Sequence, residues 1–172
     1  LLGTELNIMN ARGEIDLPDS VLERLDIAIA SIHMPCFKDE RTIDNVTAAY
    51  EKVMEHPYVD IIGHPDDGRF PVDMKRLVKK AKETGTLLEV NNSSLRPEGF
   101  RENTKENCLE MVKECKAQGV MIVLGSDSHV DADIAEYPYA EEILRETDFP
   151  EELVANVSLE KLKACIKHGK KL

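Results

Sequence analysis

Tryptophan is absent from this chain of 172 residues, and aromatic side chains make up only 5% of it. Ile, Val, Leu and Met must therefore build the core. No apolar run approaches the roughly 20 residues of a membrane span, and no secretory signal opens the chain. Positive charge is scarce as well. A formal net charge of −11 argues against a nucleic-acid surface or an anionic membrane surface, although bound cations could still give such a protein a local anion site. The four cysteines, Cys36, Cys108, Cys115 and Cys165, form no CxxC pair. That fits reduced thiols in the cytoplasm better than a disulfide framework, with Cys108 and Cys115 on one helix face. No Gly-rich phosphate loop follows the first strand-like run, so the dinucleotide-binding fingerprint is missing. Leu1 is not an initiator methionine, and residues 1–9 already read as a strand in progress. An N-terminal portion is expected to be missing.

What is present is an alternation of short apolar runs with helical patterns. Strands are expected at 26–32, 59–63, 86–91, 120–124 and 154–157. Helices are expected at about 41–55, 73–84, 104–118, 135–147 and 158–168. Asp73 and Ser158 sit where N-caps belong, and Gly85 and Gly119 where left-handed C-caps belong. Strands separated by a dozen or more helical residues imply crossovers and a mainly parallel sheet in one domain. Such an α/β chain could be an open doubly wound sheet or a (β/α) barrel. A complete eight-stranded barrel takes about 250 residues, so a barrel of this length would be partial.

Several of these strands end in a histidine. His33 follows 29–32, His64 follows 59–63, and the apolar run 120–124 leads into Gly125-Ser126-Asp127-Ser128-His129. Side chains alternate along a strand, so Asp127 and His129 share a direction if the extended backbone continues. Taken alone, each histidine has an ordinary account, since a residue before proline, as at His64-Pro65, is biased to extended backbone. His56 and His168 read as solvated. Glu5 is different, being a carboxylate within an apolar strand where an unpaired charge is costly. Glu5, His33, His64, Asp127 and His129 would face one mouth if their strands are neighbours, and chemistry in barrels gathers at that end. Mixed imidazole and carboxylate donors suit Zn²⁺, Mn²⁺ or Fe²⁺.

The segments "GTELN", "GEID", "IASIHMP", "IIGHPD", "LLEVNNSS", "VLGSDSH" and "NVSLEKL" occur in an order that resembles the PHP (polymerase and histidinol phosphatase) superfamily, most of all its small bacterial phosphatases. The resemblance covers nearly the whole chain. It implies a distorted (β/α)7 barrel with up to three metals, zinc or manganese, and hydrolysis of phosphate esters. Residues 1–172 would be a single PHP-like domain lacking its first strands. By the same resemblance Glu5 is the bridging carboxylate, His33 and His64 its partners on one metal, Asp127 a ligand of a second and His129 of a third. Asn91 and Asn92 lie on a loop at the mouth. Arg69, Arg96 and Arg101 occupy loops that could approach a phosphate, Arg96 foremost because its loop follows the Asn-Asn strand end. The family's opening HxH motif and two further histidines are not in this sequence, and would fall in roughly 70 residues upstream, about two βα units. At most one metal is then expected to be well held, and the 172-residue chain is expected to be inactive by itself. The substrate would be a small phosphorylated molecule. Leu2, Leu6 and Ile8 are expected to lie exposed on an unpaired edge and to drive self-association.

Three rivals remain open. One is a non-catalytic metal-binding or regulatory module of the same family. Another is an amide or deaminating hydrolase on a related barrel, disfavoured because no lysine sits at a strand end. The third, a nucleic-acid-binding module, lacks a basic stripe and aromatic platforms.

Overall fold

A computed structural model describes residues 1–167. Five strands, β1 (Gly3–Asn7), β2 (Ile27–Ser31), β3 (Ile61–Ile62), β4 (Leu87–Asn91) and β5 (Ile122–Gly125), pair in parallel in the order in which they occur along the chain. The order never reverses, so there is no topological switch point of the doubly wound kind. A helix precedes or bridges each successive strand: α1 (Asp19–Leu22), α2 (Ile43–Val53), α3 (Met74–Thr84), α4 (Thr104–Gln118), then α5 (Pro138–Thr147) and α6 (Leu159–Cys165). None of the described helices is long and apolar enough to cross a membrane.

Alternation along the strands separates two cores. Leu6, Ala28, Ala30, Ile62, Leu88, Val90 and Ile122 point one way and pack beneath the apolar faces of α2, α3, α4 and α5. Residues of the opposite parity, Ile61, Leu87 and Val123, meet Ala155 and Ile166 in a smaller cluster on the other face. A side chain's parity thus decides whether it supports the helices beneath the larger core or faces the other way. Glu5, Ser31, Glu89 and Asn91 have the second parity.

Local chemistry accounts for the element limits. Asp73 accepts from the amides of Lys75 and Arg76 at the start of α3, and Ser158 accepts from Lys161 at the start of α6. Gly85 and Gly119 close α3 and α4 in the left-handed conformation, at φ +67° and +69°. α5 begins at Pro138, three residues later than expected, because Pro at the first helical position needs no amide partner. Cys108 and Cys115 are fully buried on α4, and all four thiols are free.

Several expectations are corrected. Residues 154–157 do not form a strand. They are 3₁₀ turns with one bridge, Val154 to Ile122. The amide of Asn156 bonds both the N–H and C=O of Leu124, at 3.0 and 2.9 Å, so a side chain satisfies the edge that a strand would have filled. Leu6 and Ile8 are fully buried and only Leu2 is exposed. Leu6 has the helix-facing parity, and Ile8 bridges Ile15 in the chain that returns from β1. His56 is largely covered, with its ring 3.2 Å from Asp19. α6 ends at Cys165, and His168 lies outside the described residues.

Fully buried Asp60 ties the C-terminal segment to the sheet. Its Oδ2 accepts from the Ala28 amide at 2.9 Å and its Oδ1 from the Lys167 amide at 2.6 Å. Asp60→Ala strands both donors and is expected to destabilise the fold by about 2–3 kcal/mol. The check is a lower urea midpoint at an unchanged m-value.

Candidate metal centre

Register brings the first three site residues together. Glu5 is level with Ile29 and Ile61 across β1, β2 and β3, and His33 and His64 each lie two positions beyond the ends of β2 and β3. His64 turns back through a left-handed backbone, φ +32°, held by its own amide donating to Glu89 Oε2 at 2.8 Å. The resulting triangle is tight: His64 Nε2 to Glu5 Oε1 is 3.1 Å, His64 Nε2 to His33 Nε2 is 3.2 Å, and His33 Nε2 to Glu5 Oε1 is 3.4 Å. A tetrahedral ion with bonds of about 2.05 Å separates its ligands by roughly 3.3 Å, which matches all three edges. Among the described residues this is the group of acid, imidazole and thiol side chains that can converge on one ion.

A second set of contacts fixes the state of one imidazole. Asn7 donates through Nδ2 to Asp16 Oδ2 at 2.6 Å, and its backbone amide donates to Asp16 Oδ1 at 2.9 Å. The amide oxygen of Asn7 therefore faces His33 Nδ1, at 2.8 Å, and can only accept. Nδ1 of His33 must carry the proton, which leaves Nε2 with its lone pair aimed at the centre. This is the outer-shell arrangement that orients metal-binding histidines. His64 lacks that support, because its Nδ1 is buried with no hydrogen-bond partner. Glu5 is half exposed on the edge strand, contrary to the expectation of a charge buried among apolar neighbours.

Asp127 and His129 stand apart from the triangle. Asp127 has φ +47°, so the extended backbone breaks there and the strand alternation does not carry on to His129. His129 is 86% exposed, with Nδ1 on the Asp127 carbonyl at 3.1 Å. The Asp127 carboxylate is taken by Arg101, whose two terminal nitrogens both lie 3.2 Å from Oδ2. Arg101 is 8% exposed and also donates to Asn91 Oδ1 and Ser94 Oγ.

The Asn-Asn pair divides by parity. Asn91 turns inward, donating to Glu89 and Asp127, and is buried. Asn92 turns outward, and its oxygen accepts from the amides of Tyr139 and Ala140, capping α5 from a distance. Arg96 points away to Asp133, at 2.7 Å, and Arg69 folds back on Asp67.

Glu89 escaped the sequence reading although it carries the signal of Glu5, a carboxylate between apolar strand residues. It is buried, burial pushes its carboxyl upward, and a Cβ added at Gly125 would fall 1.9 Å from its Oε1. A side chain at position 125 would therefore have to displace the Glu89 carboxyl.

No protein-family model matches the chain. A probable phosphatase of Clostridium novyi is 45% identical over 172 residues, all of this chain and 69% of that protein. One from Acetivibrio thermocellus is 42% identical over 99% of this chain and 69% of its own length. One from a Thermoanaerobacter species is 39% identical with the same coverage. The chain belongs to this bacterial phosphatase family. Among solved structures, the histidinol phosphate phosphatase of Lactococcus lactis, determined with zinc, L-histidinol and phosphate, aligns with a TM-score of 0.53. At 15% identity, over 77% of this chain and 61% of that one, the likeness is one of fold.

Beneath Arg101 lies another buried acid of this phosphatase chain. Asp66 is 1% exposed and neither carboxylate oxygen has a hydrogen-bond partner. Burial raises its pKa from 3.8 to about 7, against the opposing pull of Arg101. Between these values the folded state holds a proton that the unfolded state has lost, so stability falls as pH rises from about 4 to about 7. Asp66→Asn removes this penalty. The variant is expected to exceed wild type at pH 8 by roughly 2–4 kcal/mol and to converge with it near pH 4. Denaturant titrations at both pH values measure the difference, and a gap that does not shrink on acidification contradicts the assignment.

Proposed function

We propose that this chain carries the principal metal site of a metal-dependent phosphomonoesterase. The observation that carries the reading is the triangle of Glu5 Oε1, His33 Nε2 and His64 Nε2, each edge between 3.1 and 3.4 Å. Its donor set fits Zn²⁺ or Mn²⁺, with Fe²⁺ also compatible. A cation bound there supplies positive charge that draws electrons from a phosphoryl oxygen and offsets the charge of the transition state. The chain's own residues do the rest. Asp16 and Asn7 keep the His33 lone pair inward, and Glu89 fixes the backbone of His64. Arg101, rather than Arg96, offers a guanidinium to the phosphate, because it is the arginine that reaches Asp127. Asn91 and Asn92 position Arg101, Asp127 and α5 instead of touching substrate.

Asp127 and His129 serve further cations whose remaining ligands come from sequence outside these 172 residues, in the third of the relatives' length that this chain does not span. The same sequence supplies the strands that complete a PHP-like barrel against β1, whose edge otherwise favours self-association. On this reading the 172-residue chain binds one cation tightly and turns over little substrate. Its free thiols accord with a reducing cytoplasm.

Two measurements test the proposal. Elemental analysis of the chain purified without chelator is expected to give one equivalent of transition metal, lost in His64→Ala. In Asp16→Ala the affinity is expected to drop about 10–100-fold. In the longest natural form of the chain supplied with Mn²⁺, hydrolysis of a generic aryl phosphate is expected, with His64→Ala reducing kcat/KM by roughly 10³-fold. A metal-loaded protein with no phosphatase activity would favour the non-catalytic module.

A further inference from the structure

Phe100 is the most exposed large apolar side chain of the described residues, at 74%. An isolated exposed phenylalanine needs no explanation by itself. This one is held. The guanidinium carbon of Arg69 lies 4.9 Å from its ring centroid and that of Arg101 5.4 Å. Both arginines are anchored in turn, Arg69 by three contacts to the Asp67 carboxylate and Arg101 by Asp127, Asn91 and Ser94. Asp67 is itself 3% exposed. The ring is thus fixed by cation–π contacts from two immobilised cations while most of its surface stays open. Such preorganisation lowers the ordering cost of a contact made later with a ligand.

Its position gives the contact a meaning. On one side, Arg101 is the guanidinium beside Asp127. On the other, Arg69 lines a cleft of about 750 Å³ with Met34, the residue after His33. Phe100 therefore stands between the place assigned to the phosphate and the space open to the rest of a substrate. The cleft's other walls are Lys38, Asp39, Glu40, Arg41 and Glu102, mixed in sign, so they select for no single charge.

Resting on the phosphatase reading, we propose that Phe100 is a specificity-determining residue. Its open face receives a planar aromatic or heteroaromatic part of the alcohol released from the phosphoester, and the cleft beyond Arg69 takes that group's polar substituents. Stacking on a ring whose neighbours are fixed favours a flat partner over a puckered one of equal size.

The test pairs benzyl with cyclohexylmethyl ligands, which match in size and differ in planarity. In the longest natural form of the chain loaded with Mn²⁺, benzylphosphonate is expected to bind about three- to tenfold more tightly than cyclohexylmethylphosphonate. The kcat/KM values of the corresponding phosphates should differ in the same ratio. Phe100→Leu should bring both ratios to within twofold of unity, and Phe100→Tyr should keep them. Ring preference in phosphonate binding that is lost in Phe100→Leu, without turnover, upholds Phe100 as the ring-binding residue and defeats the phosphatase reading. Turnover with no ring preference, a preference that survives in Phe100→Leu, or no binding of either phosphonate overturns the inference.

Discussion

Two imidazole nitrogens held 3.2 Å apart, with a carboxylate oxygen touching both, are the constraint on which this structure turns. Two ring nitrogens at that distance repel unless a proton or a cation lies between them. The geometry persists because each partner is fixed elsewhere: Asn7 locks the His33 ring, Glu89 grips the backbone of His64, and Glu5 rides on a strand paired along its length. In-register parallel pairing then brings the strand ends to one height, so residues 5, 33 and 64 meet without any long loop having to order itself. The helix-facing core beneath the sheet exists whatever the triangle does. The reverse does not hold, since a slip of one residue in β1 would turn Glu5 toward the helices and Leu6 toward the site.

This dependence on parity also governs what could be read from the sequence. Glu5, His33 and His64 were legible because each lies on or just beyond a strand whose alternation was visible, and the caps at Asp73, Ser158, Gly85 and Gly119 were legible because their chemistry is local. The shared direction of Asp127 and His129 was not, because the rule behind it assumes extended backbone and Asp127 leaves it with φ +47°. Arg96 was preferred to Arg101 on loop position alone, and nothing local shows that one side chain turns out to Asp133 and the other in to Asp127. The division between Asn91 and Asn92 follows from parity and was within reach. Glu89 was too, since the argument that singled out Glu5 applies to it with greater force: Glu89 is the buried one.

The non-local substitutes were beyond any reading of neighbours. Asn156 stands in for a strand along Leu124, Asn92 caps a helix that begins 46 residues later, and Asp60 accepts from both ends of a long excursion. In each case a side chain performs a backbone's task, satisfying amides that would otherwise be stranded. Such contacts leave no periodic trace, because the donor and acceptor share neither an element nor a spacing.

Around the triangle the charges are arranged in opposition. Asp66, Asp67, Glu89 and Asp127 crowd one side of the strand ends, and a chain of net charge −11 has few cations to spare for them. Arg101 is placed among them at 8% exposure, with direct contacts to Asp127 and a longer one, 4.0 Å, to Asp67. Asp66 and Glu89 form no ion pair with it, and burial raises both of their carboxyls, in Asp66 against the opposing pull of Arg101. Arg69 takes Asp67 and Arg101 takes Asp127, which leaves Asp66 and Glu89 without an arginine partner among the described residues. Lysine at position 101 would make the shortfall worse, because a single ammonium cannot span Asn91, Ser94 and Asp127 at once.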